Sequence, residues 1–108
     1  MSFALRFSSA ALDHFTDFVA WYLEFFPAAS ERDTVRMVYE GFRVYRSNPL
    51  LKQIDSFPFP SIKELRHITI WKFNFYYEAL VEEHVIHVVA IVHEAAGPES
   101  TQARLGER

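Results

Sequence analysis

The chain has 108 residues, half of them hydrophobic, with eleven Lys and Arg against fourteen Asp and Glu for a net charge of −3. That length supports one core, and 17% aromatic residues with only three Gly exclude disordered, collagen-like and low-complexity classes. The acidic balance excludes a protein that grips a phosphate backbone through its overall field, and the absence of Cys excludes disulfides, thiolate metal sites and cysteine nucleophiles.

Met1–Phe7 carries one Arg and soon meets Asp13, so it has no signal-peptide core. Apolar runs are broken by Glu24, Lys72 or the histidines before ~18 clean residues accumulate. The expectation is a cytoplasmic protein with no membrane partner.

Phe3, Leu5 and Phe7 alternate on one face of a short strand. Ser8 and Ser9 can cap the next segment, where Leu12, Phe15, Val19, Tyr22 and Phe26 recur at helical spacing up to Pro27. Phe18, Trp21 and Phe25 widen that stripe. Ser30 and Asp33 form a weaker capping box for a second helix with Val35, Val38, Phe42 and Tyr45 inward, ended by Asn48-Pro49. Helices joined this closely pack as an antiparallel hairpin. Leu50 to Ser61 reads as a proline-bounded loop around Phe57 and Phe59.

The second half reads as strands. Ile62–His67, Phe73–Leu80 and His84–His93 alternate or run apolar, with Glu82-Glu83 as a polar turn. The expected fold is α+β, ordered β-α-α-β-β-β, with a two-helix hairpin on an antiparallel sheet. A single domain spans 3–95, and 96–108 is a flexible polar tail. Leu12, Phe15, Val19 and Tyr22 should pack with Val35, Val38 and Phe42 over Phe75, Val89 and Ile91.

Four arginines, Arg32, Arg36, Arg43 and Arg46, fall within an arc of roughly 80° on the second helix. Such a strip suits phosphates or an acidic partner segment, and equally an ordinary solvated flank. The histidines His14, His67, His84, His87 and His93 lack ligand spacing and an acidic complement, so no metal site is expected. No Gly-rich phosphate loop is present, and no cofactor is expected. His93, at the end of the last strand, is the candidate proton donor or acceptor, with Arg66 as candidate phosphate holder. Phe57 and Phe59 are candidates for contact with a partner or a second copy.

Several stretches resemble one known family: Ser9-Ala10-Ala11-Leu12-Asp13, Lys63-Glu64-Leu65-Arg66, Phe73-Asn74-Phe75-Tyr76-Tyr77-Glu78, and Val85 to His93, which ends in valine plus histidine. In order and spacing they resemble the RelE/ParE superfamily of type II toxin–antitoxin toxins, ParE-like more than RelE-like. The resemblance implies a cognate antitoxin and one of two activities. ParE-like members inhibit DNA gyrase by binding; RelE-like members cut mRNA on the ribosome. The nucleases place an arginine at the second position of the strand written here Phe73 to Tyr77, and basic residues after the closing strand. This chain has Asn74 and Glu94 there. Asn lacks the fixed positive fork that stabilises developing phosphate charge, and a carboxylate repels it. ParE-like members usually carry the same cations, so a non-toxic binding module on this fold is also open. The expectation is a protein-binding toxin without appreciable RNase activity, in which His93→Ala changes little.

Overall fold

The Ser8 hydroxyl accepts a hydrogen bond from the Ala11 amide and so opens α1 (Ser9–Phe25) directly after the short strand β1 (Ala4–Phe7). The computed structural model describes residues 2–56, 59 and 61–107. The Phe26 amide closes α1 onto the Tyr22 carbonyl, and Pro27 follows. α2 (Glu31–Ser47) starts with a full capping box, Ser30 and Asp33 each bonding the other's backbone N–H. These hydrogen bonds, backbone first, hold the Asp33 carboxyl below its ordinary range.

Three strands complete the sheet: β2 (Arg66–Ile70), β3 (Phe73–Leu80) and β4 (Val85–His93). The order is β1-β4-β3-β2. β2, β3 and β4 are antiparallel neighbours, while β1 runs parallel to β4, so the sheet is mixed rather than wholly antiparallel. Among the described residues, three helices and four strands make the expected α+β architecture, with β-α-α-β-β-β followed by one further helix.

β2 begins four residues later than the alternation suggested. Ile62 and Leu65 are buried in the segment before it, and Arg66, Ile68 and Ile70 form its inward row. A two-residue turn, Trp71-Lys72, joins Ile70 to its partner Phe73. Trp71 takes φ 56° there, a conformation usually left to Gly or Asn, which is why the turn carries no sequence marker.

On one sheet face, Phe18 and Val19 of α1 and Val38 and Phe42 of α2 pack against Ile68, Ile70, Phe73, Phe75, Tyr77 and Ile91. Gly41 lets α2 lie close, since a Cβ there would stand 2.7 Å from Ile70 Cδ1. Two expected core residues are corrected: Leu12 and Val35 are exposed. The buried row of α1 is Ala11, His14 and Phe18, rotated away from Leu12. A histidine belongs in that row because β4 outruns β1. The Ile91 amide, beyond the end of the β1 pairing, donates instead to His14 Nδ1 at 3.2 Å.

The other face is covered over part of its area. Ile62, Leu65, Tyr76, Val89, Ala90, Val92 and Leu105 form a second core. Val89 was expected beside Ile91 on the helical side. A bulge reverses it: Tyr76 faces Ala90 and Tyr77 faces Val88, so Val89 is the extra residue. Residues 98–107, expected to be part of a flexible tail, form α3 (Pro98–Glu107) instead. Its Thr101 and Leu105 are buried, and Arg104 reaches Asp17 of α1 at 3.4 Å. Lone apolar residues in a polar segment show no periodicity, so this helix was silent in the sequence.

The Tyr77 hydroxyl donates to the Pro49 carbonyl at 2.9 Å and so pins the loop after α2 to the sheet. Burial pushes its pKa up to about 12, with Arg66 opposing the shift. Because the folded state holds this proton more tightly, its contribution is complete below pH 10 and is lost as pH rises towards 12. The expected result is a fall in the urea midpoint over that range, absent in Tyr77→Phe.

Candidate functional site

The sheet face away from α1 and α2 is only partly covered, and its uncovered part gathers polar side chains. Alternation along β2 and β3 puts His67, Thr69, Asn74, Tyr76 and Glu78 on this side. Thr69 Oγ1 donates to Asn74 Oδ1 at 2.7 Å. His67 Nδ1 is hydrogen-bonded to the Asp55 carboxylate, and its ring packs against Tyr76 at 5.1 Å. Burial raises the Tyr76 pKa, the Asp55 charge adds to the rise, and a hydrogen bond with Asn74 opposes it. His87 Nδ1 lies 3.2 Å from Glu78 Oε1 further along the same face.

The loop carrying Asp55 is held from several points. The Asp55 amide donates to the Leu65 carbonyl at 2.6 Å, and Arg66 Nε donates to the Lys52 carbonyl at 2.9 Å. A cleft of about 420 Å³ opens between this loop and β2, lined among others by Lys52, Asp55, Ser56 and His67. A carboxylate on Nδ1 fixes the imidazole tautomer and orientation, leaving Nε2 as the face that can accept a proton. Positive charge for a phosphate is sparse. Among the described residues, the strand cation on this face is Arg6 of β1, at the far edge beside His87 and 3.8 Å from Glu83, and Lys52 stands on the flanking loop.

Arg66 is not where its expected role requires. It lies on the helical face beside Tyr77, its side chain 8% exposed, bonded to the Lys52 carbonyl and to Glu64 at 3.3 Å. A guanidinium spent on backbone and burial is a positioning group, not a phosphate holder. His93 is at the far end of the sheet. It pairs with Phe73, whereas Arg66 pairs with Tyr77, four residues along β3 and therefore ~13 Å away. The structure does not bring the two together.

His93 instead borders a cleft of about 630 Å³ between α1, β4 and α3, with Asp17, Trp21, Glu24, Ser100 and Arg104. Its Nδ1 accepts from the Ala95 amide at 3.0 Å, and its ring packs on Trp21 and Phe73. Glu94, where the resembled nucleases carry a cation, is exposed; its amide bonds Lys72.

The arginine strip divides. Arg32, Arg36 and Arg43 are exposed, Arg43 near Glu40 at 3.5 Å. Arg46 is drawn off: its Nε donates to the Phe3 carbonyl at 2.9 Å, and its guanidinium lies over Tyr39. Phe59 is half-buried against the second core, while Phe57 lies outside the described residues. Among the described residues no three His, Asp or Glu stand together as a metal site. Nor is any described helix long and apolar enough to cross a membrane.

The Asp55–His67 pair was missed at the level of sequence. Its members are twelve residues apart, one in an irregular loop, and nothing in their spacing signals contact. The later start of β2 also hid the outward direction of His67.

No protein-family model matches the chain, and no curated protein matches it. Among solved structures it is similar to a doubly substituted mutant of the E. coli toxin RelE in the free state, with TM-score 0.52, 14% identity, and 95% of each chain covered. At that identity the likeness establishes the fold. The chain is thus a RelE-fold α+β domain.

Proposed function

We propose that this protein is the toxin of a type II toxin–antitoxin pair that acts in the cytoplasm by binding a protein, with DNA gyrase as target, and is neutralised by a cognate antitoxin. One observation carries the preference for binding over RNA cleavage. The open sheet face has Asn74 where the resembled nucleases place a strand arginine, its strand cation Arg6 stands at the far β1 edge near Glu83, and Arg66 is buried on the opposite side. Each missing charge-assisted contact removes ~2–4 kcal/mol of transition-state stabilisation. Arg32, Arg36 and Arg43 supply a cationic strip for an acidic antitoxin segment.

Ribosome-dependent mRNA cleavage is the second reading, and the Asp55–His67 pair beside Lys52 favours it. In that reading His67 Nε2 takes the proton and Lys52 meets the phosphate. Inducible expression in bacteria, with and without the neighbouring reading frame, separates the two. Binding to gyrase gives growth arrest with an induced DNA-damage response, relieved by the neighbour. Arrest with rapid loss of translated mRNA, abolished by His67→Ala, would establish the second reading instead.

A further inference from the structure

α1 turns one row of side chains, Asp17, Ala20, Trp21 and Glu24, towards the cleft it shares with β4 and α3. Ser100 and Arg104, about one turn apart on α3, line the opposite wall. At about 630 Å³ the cleft is of a size that takes small organic ligands. Ala20 and Ala96, the smallest of its lining side chains, keep the space between the walls open.

Three rings form one corner of it. Trp21 meets Phe73 edge-on at 6.1 Å and His93 at 5.4 Å, and Phe73 meets His93 edge-on at 5.1 Å. Phe73 is buried and Trp21 is 45% exposed, so the indole is the part of the corner most open to a ligand. The Ala95 amide donates to His93 Nδ1, which places the proton of the neutral imidazole on Nε2 and holds the ring in position. Aromatic rings attract a cation through their quadrupole, and Trp does so most strongly.

The charges favour the same occupant. Of the two carboxylates in the lining, Asp17 is matched by Arg104 at 3.4 Å. Glu24, exposed about one turn beyond Trp21, has no cation partner among the described residues. Glu94, directly after His93, adds a second exposed carboxylate at this end of the sheet. Lys72 does not line the cleft, and its ammonium lies over the Phe25 and Trp71 rings. An anionic ligand would have to draw Arg104 from Asp17 while meeting Glu24.

We propose that this cleft binds a small organic cation, its ammonium or guanidinium group between the Trp21 indole and the Glu24 carboxylate and its apolar body over Ala20, Phe73 and Val92. The site is separate from the polar sheet face that carries His67 and from the arginine strip. It goes beyond the toxin reading and does not depend on it.

Three probes of similar apolar size test it: phenethylammonium, phenethyl alcohol and phenylacetate. Each is titrated against the nitrogen-labelled chain while the indole N–H signals are followed by NMR. The chain has two tryptophans, of which Trp21 lines the cleft and Trp71 does not, so the second signal is an internal control. Phenethylammonium should shift the Trp21 signal saturably and bind about tenfold tighter than the alcohol, with phenylacetate weaker still. Glu24→Gln, a change at an exposed helical position, should weaken the ammonium about fivefold and leave the alcohol unchanged. Trp21→Leu, followed through the Val92 and His93 amides, should weaken the ammonium about tenfold. Equal affinity for the three probes would overturn the proposal, as would an unaltered ammonium affinity in Glu24→Gln. Tighter binding of phenylacetate would overturn it too, by making Arg104 the recognising group, and so would the absence of a saturable shift with any probe.

Discussion

Phe18→Ala is expected to lower the unfolding free energy by about 3–5 kcal/mol, seen as a reduced urea midpoint with an unchanged slope. Phe18 is fully buried at the centre of the helical side of the sheet. Its ring meets Phe73 and Phe75 edge-on at 5.1 and 5.2 Å, and Phe15, Tyr22 and Trp71 surround it. Rigid rings on every side cannot collapse into the cavity, which places the cost in the upper range for aromatic truncation. Leu12→Ala on the same helix is the control. Leu12 is 56% exposed, so its change should stay within about 0.5 kcal/mol. Equal losses at the two positions would mean that the helix is rotated from the orientation described.

Leu105→Ala is expected to cost about 2–5 kcal/mol, a large effect for residue 105 of 108. Leu105 is fully buried in the second core with Val89, Ala90 and Val92 of β4 and with Ile62 and Leu65. The lower part of the range applies, because α3 is short and can shift to close part of the void. Thr101, buried and bonded to the Gly97 carbonyl, and the Arg104–Asp17 contact hold the helix in register. A thermal or urea midpoint within the range of exposed-site substitutions would show that α3 does not cover this face in solution.

Local patterns were readable wherever one signal dominated. Ser30 with Asp33 opens α2 as a capping box, and β3 spans Phe73–Leu80, where alternation of Phe73, Phe75 and Tyr77 put it. What sequence could not show depends on contacts between distant segments. The parity of Val89 is reversed by a bulge that no residue type marks, and the turn at Trp71 uses a left-handed backbone without a glycine. His14 sits in an apolar row because it serves a strand amide 77 residues away. Arg66 looked like a free cation because its chemistry is that of a phosphate holder. Its partners, the Lys52 carbonyl and Glu64, are visible only once the loop is folded over β2. The candidate site was legible to a similar degree. Asn74 was singled out, whereas the Asp55–His67 pair required the fold.

Supercoiling of relaxed plasmid by purified DNA gyrase, titrated with the purified chain, tests most directly whether this RelE-fold protein acts by binding that target. Loss of supercoiling is expected at near-stoichiometric ratios, reversed by adding the product of the neighbouring reading frame. Undiminished supercoiling in a large excess of folded chain would contradict it.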